Sequence, residues 1–215
     1  IANTPDDLRS AKEKLDHADG PIKFLGYKDF IDGSLGGHTA AMYEPFSDRP
    51  DTRGTERYRH DDMVTMGKTS VELGGSVAIH AIGDRANDLV LDVHEELIDG
   101  GADPSRLRVE HMSVVNEDTI SRMARLGVTA SVQPAFLASE ATWLEKRLGP
   151  ERMSRVYPFR SLLEAGVPLL GGSDSPVELP DPETGITAAV DRYGVNPEES
   201  LTRDQAEALF APPEA

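Results

Sequence analysis

Short apolar runs alternate along this chain with longer stretches in which apolar residues recur every three or four positions. The runs at 23–31, 76–80, 107–111, 128–132 and 167–170 predict β-strands. The stretches 55–73, 85–98, 117–125 and, with breaks, 141–165 predict helices. Turn chemistry separates them. Gly74-Gly75 and Gly100-Gly101 close two helices, Asp103-Pro104 follows the second, Gly127 ends a third, and Gly166 with Pro168 brackets a fourth. Asp84 with Asn87 and Asn116 with Thr119 read as helix starts placed just after strands. From Leu201 a further helical pattern begins and stops abruptly.

Helix, glycine, strand, polar loop, helix is a repeating βα unit. Such repeats build a parallel sheet, because parallel strands need a crossover and a helix is the usual one. The rhythm leaves a doubly wound sheet or a (β/α)₈ barrel. No glycine-rich phosphate-binding motif follows a strand, so a nucleotide-binding doubly wound sheet is disfavoured. Polar residues recur instead at the C-terminal ends of strands: His80, His111, Gln133 and Asp174. Convergence of several strand ends on one point is what a barrel provides. A complete barrel has eight strands over about 250 residues. Five predicted strands therefore make the α/β chain a partial (β/α)₈ TIM barrel, short of strands on its N-terminal side.

Composition narrows the function classes. The chain has 215 residues, 38% of them hydrophobic and 28% charged, enough for one sizeable core. Lys and Arg number 22 against 38 Asp and Glu, a formal net charge of −16. Such a surface is repelled by nucleic acids and anionic membranes, and neither is expected as a partner. No apolar run reaches the roughly 18–20 residues of a membrane span. With no charged-then-apolar leader in view, the expected location is cytoplasmic. Cysteine is absent, which removes disulfides, thiolate metal sites and cysteine nucleophiles. The carboxylates are dispersed and lysine is scarce, a balance suited to a salt-loving source, though an ordinary acidic cytoplasmic protein has it too. Ile1 at the start and the interrupted final pattern suggest a piece of a longer protein.

Four residues are candidates for chemistry. His80 and His111 each close a strand, one βα unit apart, so their imidazoles can converge at a barrel mouth and share a metal ion. A single histidine in such a place is more often a hydrogen-bonded structural residue; two in equivalent places make ligation a competitive reading. Asp174 follows the last apolar run and can ligate a metal, take a proton from a metal-bound water, or merely cap the Ser175-Pro176 turn. Lys28 lies within an apolar strand, where a buried cation is costly. It can snorkel to solvent or be chemically altered. Residues 32–37 form a turn-rich loop that brings backbone amides near the mouth.

These residues carry a resemblance. Residues 28–40 (Lys-Asp-Phe-Ile-Asp-Gly-Ser-Leu-Gly-Gly-His-Thr-Ala) with Glu44-Pro-Phe-Ser-Asp48, residues 78–86 (Ala-Ile-His-Ala-Ile-Gly-Asp-Arg-Ala), Arg108-Val-Glu-His-Met112 and Gly172-Ser-Asp-Ser-Pro-Val177 together resemble amidohydrolase family 3. The motifs span nearly the whole chain. The nearest group is the exoenzyme-regulator-like metal-dependent hydrolases, similar to N-substituted formamide deformylases.

The resemblance implies that 1–215 is one partial metal-dependent hydrolase domain, covering about strands 4 to 8 of a barrel enzyme that cleaves C–N bonds of small molecules. It implies a divalent metal, zinc foremost, held by His80 and His111 and by Lys28 carboxylated to a bridging carbamate. Asp174 matches the strand-8 aspartate, which handles the proton of the attacking water. Lys23 does not keep the spacing to the loop. A lysine near its reference pKa of about 10.4 is a poor ligand, whereas its carbamate is an anionic bidentate one.

Two departures bear on activity. The family's strand-1 His-x-His pair and its small β-sandwich are both absent from these residues, so the chain alone is expected to be inactive or nearly so. His38 stands where relatives often carry Arg, which implies either altered contacts to the substrate or merely a changed loop, the loop being the favoured reading. The alternative is a non-catalytic binding or regulatory domain that retains the framework. An open barrel side exposes apolar surface, so self-association is expected. Trp143 and Phe136 are candidates for pocket or core, and the acidic stretch 88–99 for a solvated face.

Overall fold

The computed structural model describes residues 4–211. Five parallel strands lie side by side in chain order: β1 (Gly26–Phe30), β2 (Ser76–Ala81), β3 (Leu107–His111), β4 (Thr129–Val132) and β5 (Leu169–Gly171). All five sequence-predicted strands are present: β1 and β4 are shorter than expected, β3 matches, β2 runs on to Ala81, and β5 is shifted to end at Gly171. Residues 23–25 precede the first paired position, and Ala130 N–H reaches back to Pro168 O at 2.8 Å to start the last pairing.

Each crossover is helical. After an opening helix α1 (Pro5–Asp16), α2 (His60–Glu72) links β1 to β2, α3 (Asp84–Asp99) links β2 to β3, and α4 (Glu117–Leu126) links β3 to β4. The broken region before β5 holds α5 (Phe136–Glu140), α6 (Leu144–Leu148) and α7 (Phe159–Glu164). Beyond β5 come α8 (Pro182–Asp191) and α9 (Arg203–Leu209). Helices α1 and α8 are additions to the sequence reading. The first starts at a Thr4–Asp7 capping box with Pro5 in its first turn, and buries only Leu8. Its apolar stripe is too thin to stand out by periodicity. In α8, Gly185 lies against the Phe210 ring, so the small residue that weakens the helical pattern is what lets α9 dock.

The helix starts are a partial correction. Gly83, not Asp84, occupies the cap of α3; Asp84 instead accepts the amides of Tyr43 (3.0 Å) and Arg85 (2.9 Å). Asn87 sends its amide to Gly83 O (2.9 Å) and Val114 O (3.0 Å), tying the segments that follow β2 and β3. Asn116 caps α4 by position, while its side chain accepts from Arg155. Gly127 ends α4 in the left-handed conformation, as its sequence position predicts.

The core lies between the sheet and its helices. Across the middle of the sheet runs the row Asp29, Ile79, Val109, Ala130, Leu169, with Ile79, Val109 and Ala130 fully buried. Val77, Leu107 and Val132 share that face and meet Val90, Val93, Leu97, Met123 and Leu162 of the covering helices. The chain folds back tightly above the strands. A Cβ at Gly54 would fall 1.8 Å from Ala40 O, and one at Gly83 would fall 2.0 Å from Ala41 O. Only glycine lets these backbones approach so closely. Among the described residues, no helix is long and apolar enough to cross a membrane.

Candidate functional site

Strand alternation sends Lys28 and Phe30, Ala78 and His80, Arg108 and Glu110, and Ser131 to the face away from the helices. Phe30, His80, Glu110, Ser131 and Leu170 form one register row across it. Its edges are open: Phe30 is 47% exposed and Leu170 39%. His80 and Glu110, in the middle, are buried.

Alternation alone would turn His111 away, because it pairs with Ala81 rather than with His80. The backbone overrides that. His111 and Met112 adopt positive φ of 81° and 51°, which ends the strand and breaks its alternation. The His111 and His80 rings meet edge to face with centroids 4.4 Å apart. Phe30 flanks His80 at 5.1 Å, and Phe136 stacks on His111 at 6.0 Å. The two sequence-predicted histidines are therefore brought together. Phe136 belongs to their surroundings, while Trp143 lies against the loop at Gly36.

Each imidazole has one nitrogen engaged. His80 Nε2 lies 2.8 Å from Gly33 O and 3.3 Å from Asp32 Oδ1. His111 Nδ1 lies 2.7 Å from Gln133 Oε1, and the Gln133 amide nitrogen is fixed by Ser131 O at 3.2 Å. Burial, with His80 and Lys28 nearby, lowers His111 to about 3 against the pull of the Gln133 hydrogen bond. At neutral pH its ring is uncharged and keeps a lone pair. Neutral imidazoles with one nitrogen hydrogen-bonded to an acceptor are the form in which histidine binds metal. The donor chemistry of the pair thus fits a divalent cation.

Lys28 shares the open face. Its Nζ donates to Asp29 O at 3.1 Å and sits 3.8 Å from the centre of the Phe30 ring. Although solvent reaches this side chain, the protein crowded around its amine lowers it to about 8, against the pull of Glu110, Asp174 and Asp29. Asp174 follows β5 with a φ of 52° and is exposed. Its carbonyl accepts the Val177 amide at 2.9 Å, a backbone contact that does not involve the carboxylate, and its charge reaches Lys28. Among the described residues, no three His, Asp or Glu side chains gather closely enough to hold a metal by themselves. Asp174 is therefore not drawn into the histidine pair.

Three neighbours lacked an assigned role in the sequence reading. Glu110 is buried beside Arg108, whose Nε lies 2.5 Å away. Gln133 orients His111. Asp32 is buried and accepts three backbone amides: Ala41 (2.9 Å), Ile82 (3.1 Å) and Gly83 (2.8 Å). Its partners are backbone amides, so no pattern of residue types in the sequence singles Asp32 out. His38 fits the loop reading. Its Nε2 meets Asp48 at 3.0 Å, and Arg147 grips the same carboxylate. Burial pushes Asp48 upward, but the His38 and Arg147 contacts outweigh it and leave it below the usual range. The acidic face of α3 is engaged as well as solvated: Asp92 and Glu95 pair with Arg122, and Glu96 with Lys68.

Comparison with known proteins gives a consistent result. A family model described as amidohydrolase family matches residues 1–212. YtcJ of Bacillus subtilis (strain 168), which carries an amidohydrolase name, is 35% identical over 198 residues, covering 92% of this chain and 37% of that protein. The N-substituted formamide deformylase of Arthrobacter pascens is 29% identical over 164 residues, covering 73% of this chain and 30% of that enzyme. Among solved structures, an uncharacterized metal-dependent hydrolase from Pyrococcus furiosus superposes with a TM-score of 0.83 at 36% identity, covering 96% of this chain and 43% of that one. The chain thus spans well under half the length of these relatives. The matched family model runs through the parallel sheet, the histidine pair and the loop after β5, and the chain belongs to amidohydrolase family 3.

Proposed function

We propose that these residues form strands 4 to 8 of a barrel hydrolase that cleaves C–N bonds of small amide- or formamide-like substrates, and that the chain alone is inactive or nearly so. The observation that carries this reading is the contact between His80 and His111, each with one ring nitrogen held against an acceptor. Lys28, on the same face, would complete the protein's contribution as a carbamate. Carboxylation needs an unprotonated amine, which the crowding around Lys28 favours. A bound divalent metal, zinc in this proposal, would supply water activation and carbonyl polarisation.

The chain's own residues then have distinct tasks. His80 and His111 would contribute imidazole nitrogen donors, and burial keeps the His111 ring uncharged at neutral pH. Asp174 accepts a proton from the attacking water as the new C–O bond forms, and passes it to the departing nitrogen as the C–N bond breaks. Its exposed place after β5, within electrostatic reach of Lys28, supports that role. Among the described residues, no three His, Asp or Glu side chains are grouped so as to hold a metal, which supports inactivity in isolation.

Calorimetric titration of the 215-residue chain with Zn²⁺ tests the reading. Binding of fewer than two ions per chain is expected, lost in His80→Ala and His111→Ala. Binding that survives both substitutions would overturn the site, and two tightly held ions with turnover of a formamide would overturn the inactivity.

A further inference from the structure

Helix α3 buries one ionisable side chain that it does not pair. Ala86, Val90, Val93 and Leu97 belong to its covered stripe, and His94 falls inside that stripe, one turn after Val90. The imidazole is fully buried, and neither Nδ1 nor Nε2 meets a hydrogen-bond partner among the described residues. Burying a polar group unpaired costs free energy, and burying an unpaired charge costs far more. The ring therefore stays uncharged while the chain is folded.

No charged neighbour offsets this. Helix α3 packs on α2, α4, β2 and β3. From α2, His60 and Lys68 turn to Glu96, Glu72 pairs with Arg9, and Asp61 and Asp62 are exposed. From α4, Arg122 holds Asp92 and Glu95, Arg125 holds Glu95, and Glu117 and Asp118 are exposed. On the strands, His80, Arg108 and Glu110 belong to the opposite face of the sheet, and His111 closes β3 against Gln133. On α3 itself, Arg85 pairs with Glu56, Asp84 accepts two amides, Asp88 accepts from Tyr43 and Thr119, and Asp99 is exposed. Burial alone acts on the His94 ring and pushes it down to about 3.

The consequence has a direction. The unfolded chain offers His94 to protons at its ordinary value of about 6.5, whereas the folded chain refuses them until far lower. The stability tied to this ring is complete above about pH 6.5 and is lost as pH falls toward about 3. Helix α3 is also a costly element to lose. It joins two central strands, its cap Gly83 is pressed onto Ala41 O, and its Asn87 reaches Val114 O at 3.0 Å. We infer that His94 is an acid-sensitive trigger built into the fold: a proton on its ring drives α3 off the sheet and frees the loops after β1, β2 and β3 that α3 holds together. The trigger lies on the helix side of the sheet and does not depend on the metal-site reading.

Urea unfolding of the 215-residue chain and of His94→Leu, followed by circular dichroism at a series of pH values, tests this. Relative to His94→Leu, the unfolding equilibrium constant of the native chain should rise about 10-fold for each pH unit below about 6.5, on the order of 100-fold two units down. A ratio between the two proteins that does not change with pH would overturn the trigger. A second measurement needs no variant and decides the matter even if His94→Leu does not fold. By NMR of the native chain, the His94 ring should remain neutral for as long as the chain stays folded. A protonated ring in the folded chain near pH 6.5 would overturn the inference. Amide exchange locates the release: as pH falls, protection in α3 should be lost no later than in β2 and β3, and strands that open while α3 stays protected would place the acid response elsewhere.

Discussion

Two neighbouring rows of the same sheet are built for opposite ends. Asp29, Ile79, Val109, Ala130 and Leu169 lie one residue before Phe30, His80, Glu110, Ser131 and Leu170 on every strand. The first row is largely aliphatic and sealed by helices. The second carries an imidazole, a carboxylate and a hydroxyl between two exposed apolar ends. The first row contributes to stability through Ile79 and Val109, each fully buried and worth about 1.5–3 kcal/mol. The second row spends part of that on holding polar groups out of water. The separation explains how such a face can host chemistry while the fold stays intact.

Substitutions can break this division or sharpen it. Val109→Asp places an unpaired charge in the sealed row and should cost more than about 4 kcal/mol, enough to unfold the chain; loss of the far-ultraviolet circular dichroism signal would show it. Ile79→Ala leaves a cavity and should cost about 2–5 kcal/mol in urea unfolding.

A polar group on the strand-end side should act through pH instead. Burial raises Glu140 to about 7, helped by Glu178 and opposed by the Tyr157 hydroxyl at 2.5 Å. Its folded value exceeds the unfolded one, so the stability it contributes is complete below about pH 4.5 and fades as pH rises through about 7. Relative to Glu140→Gln, the native protein should lose on the order of 2–3 kcal/mol across that window, read from urea midpoints. A constant difference between the two proteins would refute the assignment. The smallest effect belongs to the open edge. Leu170→Ser should change stability by less than about 0.5 kcal/mol and lower the average mass seen by light scattering, because it removes an exposed apolar contact.

The strands were legible because each is a short apolar run ended by glycine or a polar loop, and burial on the helix side leaves that signature in Val77, Ile79, Leu107 and Val109. The histidines were legible as strand-end residues one βα unit apart. Their convergence followed from that placement, but the backbone turn that achieves it did not, since alternation assigns His111 to the other face and only its positive φ brings it round. Asp32 was hidden for a different reason. Its partners are backbone amides at 41, 82 and 83, and a side chain bonded to backbone leaves no residue-type pattern to read. Helix α1 escaped because a single buried leucine makes no periodicity.

The glycines at 54 and 83, pressed onto the carbonyls of Ala40 and Ala41, have a consequence for how this scaffold can diversify. The first two strand-to-helix connections are welded where they touch, and lengthening either one would pry the other loose. In the segments beyond β4 and β5, no described glycine is pressed onto a carbonyl of these two connections, so length changes there would leave the pair that frames His80 in place.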